Sequence, residues 1–303
     1  MSRIHEALKK AEQERAISDP LERTESVPAA VEAVIDAETP AANIASISAA
    51  APATAMTPEA LLARTRRVEW NPDPKTMLFF TGEEHAYGME EFRTLRSRLY
   101  QARERHQLSK LLVTSPLPKE GKSFITANLG QVLVRQKGKR VLLVDADLRN
   151  PHLHSTLGAE RGPGLSDYLQ GKTDEFSIIQ RGPMENLFLI PAGSSNENPA
   201  ELVASGRMST LLKRLEPLFD WIIVDSPPAV AVSDAALLAN YCDGVILVVR
   251  SNATPFDVAK RARKEFGDNL VGVVLNGVDT LPEYSQYYYN AYAKPNGSGG
   301  AAS

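Results

Sequence analysis

The chain has 303 residues, 43% apolar and 23% charged, which suits one sizeable globular domain with appendages or two small domains. A net charge of -3 and a pI near 6.0 exclude nucleic acid or anionic lipid as a partner recruited by bulk charge. A single cysteine, Cys242, excludes an intramolecular disulfide and any cysteine-rich metal site, and it fits a reducing compartment.

Residues 1–16 place Ile4, Ala7, Leu8 and Ala11 at helical spacing among Lys, Glu and Gln, which predicts a short amphipathic helix. The charges in Met1-Ser2-Arg3-Ile4-His5-Glu6 stand where a secretory signal needs an apolar core. Residues 17–76 are rich in Ala, Pro, Thr and Glu and predict a mostly disordered linker, with a weak helix near Pro58–Arg67. The long uncharged run Thr39–Pro58 holds few large apolar residues, so it reads as linker and not as a membrane span. The expectation is a cytoplasmic chain whose membrane association comes only through a partner.

From about Met77 the texture changes. A helix is expected from Glu90 to about Arg105. Strand-like and helical segments then alternate through Leu111–Thr114, Phe124–Arg135, Val141–Val144, Leu187–Ile190, Met208–Leu215, Trp221–Val224, Asp234–Tyr241, Val245–Val249, Phe256–Phe266 and Leu270–Leu275. Several strands are apolar throughout, as in a parallel sheet covered on both faces. The expected fold is α/β, one doubly wound, mostly parallel sheet over residues 77–279. Residues 280–303 end in Gly, Ala and Ser and predict a flexible tail.

Three segments carry chemistry. Ser115-Pro116-Leu117-Pro118-Lys119-Glu120-Gly121-Lys122-Ser123 follows a strand and opens a helix, where backbone N–H groups and the helix dipole favour an anion. Gly121 lets the backbone approach a phosphate, Lys122 can reach the β- and γ-phosphates, and the Ser123 hydroxyl can ligate Mg²⁺. Pro116 stands where the strict P-loop pattern has its first glycine. In Val141-Leu142-Leu143-Val144-Asp145-Ala146-Asp147-Leu148-Arg149, the two acids share a side of the strand end, a repulsion that Mg²⁺ with ATP would relieve. Trp221-Ile222-Ile223-Val224-Asp225-Ser226-Pro227-Pro228 is another apolar strand ending in an acid and stopped by prolines. Ligands of open α/β sheets sit beyond the carboxyl ends of the strands, so the three segments are expected to meet there around ATP and Mg²⁺.

These residues resemble the bacterial tyrosine kinases of capsule and exopolysaccharide synthesis, of the CpsD/CapB type, a branch of the MinD/ParA-like P-loop ATPases. Asp145, Asp147 and Arg149 match that family's D-x-D-x-R, Asp225 with Pro227 and Pro228 matches its Walker B, and the likeness runs from about Glu90 to Tyr292. The segments Gly164–Leu169, Pro191–Gly193 and Met1–Arg15 also look like family features. Glu90, Arg93 and Arg96 match E-x-x-R-x-x-R, which in the family joins subunits into a ring. Tyr284, Tyr287, Tyr288, Tyr289 and Tyr292 crowd a polar segment and resemble the family's autophosphorylated tail. Lys119 departs from the family's usual glycine; a type I turn would accommodate it.

The resemblance implies roles. Pro118, Lys119, Glu120, Gly121, Lys122, Ser123 and Phe124 would wrap the phosphates, and Asn276 would read the adenine edge. Ser123, Asp145 and Asp225 would hold Mg²⁺, and Asp147 would accept the hydrogen of a tyrosine hydroxyl, with Lys122 and Asp225 completing the catalytic set. A tail would enter a neighbouring subunit's site in a ring-like homo-oligomer, and a membrane activator of the polysaccharide co-polymerase kind would recruit the kinase to the inner membrane face. The alternative is a MinD/ParA-like nucleotide-gated scaffold that phosphorylates no protein. The lone Cys242 rules out an iron–sulfur reductase, and Arg261, Arg263 and Lys264 are too few for a DNA-binding patch.

Overall fold

The apolar inner strands are buried on both faces, and the reason is visible in how their side chains divide. The computed structural model describes residues 57–74, 76–80 and 88–278. The expected 1–16 helix, most of the expected linker and the five tail tyrosines lie outside the described residues. Eight strands form one sheet: β1 Arg66–Arg67, β2 Lys110–Thr114, β3 Val141–Asp145, β4 Gln180–Arg181, β5 Leu187–Ile190, β6 Trp221–Asp225, β7 Gly244–Arg250 and β8 Leu270–Asn276. Their order is β1-β4-β5-β3-β6-β2-β7-β8. Neighbours run parallel except β4 and β5. The doubly wound, mostly parallel α/β fold expected from the sequence is the fold observed.

The helices are α1 Pro58–Arg64, α2 Met89–Arg105, α3 Lys122–Val134, α4 Leu153–Thr156, α5 Leu165–Leu169, α6 Pro199–Ala204, α7 Arg207–Leu215, α8 Asp234–Ala239 and α9 Phe256–Phe266. Leu111, Val113, Trp221 and Ile223 join the core under α2 and α3. Leu112, Ile222 and Val224 join the opposite core, with residues of α5 to α9. Period-2 alternation therefore survives inside the inner apolar runs, where it sorts residues between two cores; on the edge strand β8 it still divides core from water, with Val271, Val273 and Leu275 exposed.

α3 lies closest to the sheet and is buried almost all round. Asn128 on α3 is satisfied by the incoming chain: it accepts from the Leu78 N–H at 2.9 Å and donates to the Thr76 carbonyl at 2.9 Å. A side chain at Gly130 would meet Leu143 Cδ2 at 2.7 Å, so glycine is what lets helix and strand approach.

The domain begins earlier than the expected Met77. Leu61 on α1 is fully buried in one core, and Trp70, Met77 and Phe79 lie in the other. The composition of 17–76 averages over a chain whose last third supplies core anchors, and that averaging hid them. The helix near Pro58–Arg67 does form, shorter, capped by Thr57 whose side chain accepts from the Ala60 N–H. Helices α4, α5 and α6 and strands β1 and β4 were not foreseen, being four to six and two residues long respectively.

Candidate active site

The sheet order explains why the three motifs meet. β6 lies between β3 and β2, so the phosphate loop after β2, Asp145 at the end of β3 and Asp225 at the end of β6 open onto one edge. Asp145 and Asp225 are register partners.

Gly121 caps α3 with φ +97, and a Cβ there would lie 2.2 Å from Asn276 Nδ2, so only glycine fits. Ser123 Oγ donates to Asp225 Oδ2 at 2.5 Å. Lys122 is 8% exposed, and its Nζ lies 3.7 Å from Asp147 Oδ2. Asp145 Oδ2 accepts from the Leu153 N–H at 3.1 Å, while its Oδ1 is buried without a hydrogen-bond partner. Asp147 Oδ1 accepts from the Asn150 N–H at 3.0 Å. The structure thus gathers Lys122, Ser123, Asp145, Asp147 and Asp225.

Electrostatics follow from this crowding. Burial pushes the Asp225 carboxyl up to about 7; the Lys122 cation opposes the shift, and the Asp145 carboxylate adds to it. Burial also raises Asp147, against the pull of Lys122. Three acids held with one ammonium at the end of the sheet leave negative charge that a cation would relieve.

Lys119 differs from the sequence expectation. Its φ is +64, the left-handed region, and not that of a type I turn. The Arg250 guanidinium donates to its carbonyl at 3.2 Å and holds the backbone there. Asn276, expected near adenine, donates through Nδ2 to the Glu120 carbonyl at 2.9 Å. Phe124 turns its ring toward α2, 6.0 Å from Phe92 between centroids. Pro118 lies within the loop between β2 and α3.

Glu90 and Arg93 pair with each other at 3.0 Å on the exposed side of α2. Arg96 donates to the Val132 carbonyl at 3.1 Å, at the C-terminal end of α3. Arg149, matched to a motif but given no role from sequence, forks onto the buried Asp234 at 2.7 and 3.0 Å and fixes the loop carrying Asp147. Asp234 was not singled out; its place at the start of an apolar helical run was the available signal. Among the described residues, no three carboxylates or imidazoles gather closely enough to hold a metal unaided. None of the described helices is long and apolar enough to cross a membrane.

A parallel sheet with a Gly-Lys-Ser loop at a helix N-terminus and acids on the two adjoining strand ends defines a P-loop nucleotide-binding domain. A family model described as an AAA domain matches residues 120–257. The tyrosine-protein kinase YwqD of Bacillus subtilis is 35% identical over 210 residues, covering 68% of this chain and 88% of that protein. The putative tyrosine-protein kinase in the cps region of Klebsiella pneumoniae is 33% identical over 235 residues, 77% of this chain but 32% of that longer protein. The kinase domain of the Escherichia coli tyrosine kinase ETK superposes with a TM-score of 0.62 at 32% identity, covering 68% of this chain and 81% of that one. The chain belongs to the bacterial tyrosine-protein kinases.

Proposed function

We propose that the protein transfers the γ-phosphoryl group of Mg-ATP to the tyrosines Tyr284, Tyr287, Tyr288, Tyr289 and Tyr292 of another copy, and that this regulates export or synthesis of an exopolysaccharide. The observation that carries the reading is the convergence of Lys122, Ser123, Asp145, Asp147 and Asp225 at the mouth of one phosphate loop.

Backbone N–H groups of residues 119–123 and the Lys122 ammonium bind and neutralise the β/γ-phosphates. The donor set suits Mg²⁺: the Ser123 hydroxyl and Asp225 already touch, and the orphaned Asp145 Oδ1 lacks only a cation. When bound, Mg²⁺ would supply charge neutralisation at the transferring group, with phosphates and water completing its shell. Asp147, raised by burial, is the better proton acceptor for a phenol of pKa about 10. Its Oδ1 stays pinned by the Asn150 N–H, which aims Oδ2, the oxygen paired with Lys122, at the site.

Glu90 and Arg93 on the exposed side of α2, with Arg96 once it leaves the Val132 carbonyl, would join copies into a ring. Each phosphate adds nearly two negative charges, so a phosphorylated tail would be expelled by the acidic site. The tethering of residues 1–16 to a membrane activator, and recruitment to the inner membrane face, belong to the same reading; a relative from a cps region supports the polysaccharide setting.

The test is incubation with γ-labelled ATP and the membrane activator. Label should appear on the parent and be lost in both Lys122→Met and the five-fold Tyr→Phe variant. ATP hydrolysis with no labelled protein would instead establish the nucleotide-gated scaffold.

A further inference from the structure

The phosphate loop is held from outside by a turn that no part of the proposed chemistry uses. Glu120 is 3% exposed although it carries a carboxylate in a surface loop. Its Oε2 accepts from the Leu117 N–H at 2.8 Å, closing the loop on itself. Its Oε1 accepts from the Thr254 hydroxyl, 134 residues further along the chain. Thr254 Oγ1 in turn accepts from the Arg250 N–H at 3.1 Å, so donor and acceptor capacities match along the whole relay. The Arg250 guanidinium separately donates to the Lys119 carbonyl. Residues of the β7–α9 turn thus grip two consecutive loop residues, one of which sits at φ +64.

A non-glycine residue in the left-handed region relaxes unless its surroundings over-determine it. Here the over-determination comes from Arg250 and Thr254. Releasing Lys119 and Glu120 would let the backbone amides of 119–122 turn away from their common focus, and an anion site made of backbone N–H groups depends on that focus. The clamp acts on where phosphate binds, and it does not touch Asp147.

We infer that Thr254 and Arg250 are positioning residues for nucleotide binding, which clamp the phosphate loop through Glu120 and Lys119. The inference rests on the kinase reading above. In the full-length chain, Thr254→Val removes the hydroxyl and strands a buried carboxylate oxygen, so KM and Kd for Mg-ATP should both rise about ten-fold. The turnover number should stay within about two-fold, because the acids that act on the reacting atoms are untouched. Thr254→Ser keeps the hydroxyl and should restore the parent affinity, which a purely steric role of the threonine methyl would not allow. If Thr254→Val does not fold, Arg250→Met serves in its place: it removes an exposed side chain's bond to Lys119 and should raise KM in the same direction with little loss of melting temperature. Unchanged Kd in Thr254→Val or Arg250→Met, a fall in turnover at constant Kd, or failure of Thr254→Ser to rescue overturns the clamp. A parent that does not bind Mg-ATP refutes the kinase reading itself; a parent that binds beside variants that bind equally well refutes the clamp alone.

Discussion

Replacing Asp225 by Asn should stabilise the nucleotide-free protein at high pH while destroying its use of magnesium. Asp225 is fully buried, and its carboxyl is pushed from 3.8 to about 7. Holding it ionised at pH 8 therefore costs about 4 kcal/mol, from roughly three pKa units at 1.36 kcal/mol each. The sign follows from the raised value. Below pH 3.8 the group is protonated in both states and costs nothing; the cost grows as pH rises through about 7 and is constant above. Asn keeps an oxygen for the Ser123 hydroxyl but buries an amide whose neighbour is the Thr126 hydroxyl, 3.5 Å away, a loss of about 1–3 kcal/mol. The net gain at pH 8 is on the order of 1–3 kcal/mol, and each kcal/mol should raise Tm by about 2–4 °C. Thermal unfolding of parent and variant, compared at pH 8 and near pH 4, should show the variant ahead at high pH and level or behind at low pH. Added Mg-ATP should raise the melting temperature of the parent alone. A variant no more stable than the parent at pH 8, or a difference that ignores pH, would refute the argument that burial and carboxylate repulsion strain this site.

Lys119→Gly should stabilise the chain by about 1 kcal/mol, because glycine adopts φ +64 without steric cost; thermal unfolding without nucleotide measures it, and a lower melting temperature would contradict it. Arg149→Met leaves the Asp234 carboxylate, 2% exposed, without its forked partner. The cost should be about 2 kcal/mol, below that of a fully buried pair because the Arg149 side chain is 39% exposed. Because the same bond fixes the loop of Asp147, the labelling rate should also fall in this variant.

What could be read from the sequence was what local pattern decides. Apolar runs gave β2, β3, β5, β6, β7 and β8, and an acid or a Gly-Lys-Ser at a strand end gave the site, since each sits within a few residues of the element that positions it. The α6 helix was also readable and went unread: Asn198 caps it, Pro199 opens it and Glu201 occupies its first turn. Other features depend on residues far apart in the chain. Lys119 adopts its left-handed backbone with its carbonyl held by Arg250, and Arg149 finds Asp234 across 85 residues. No local rule carries either pairing. Linker composition, likewise, could not reveal that Leu61 and Trp70 are core residues.

The central claim is that one magnesium-bound triphosphate sits among Lys122, Ser123, Asp145 and Asp225. Calorimetric titration of the full chain with ATP, with and without Mg²⁺, tests it directly in the parent and in Lys122→Met. The account predicts binding that strengthens with Mg²⁺ and weakens at least about ten-fold when the ammonium is removed. ATP affinity indifferent to Mg²⁺, or equal in parent and variant, would contradict it.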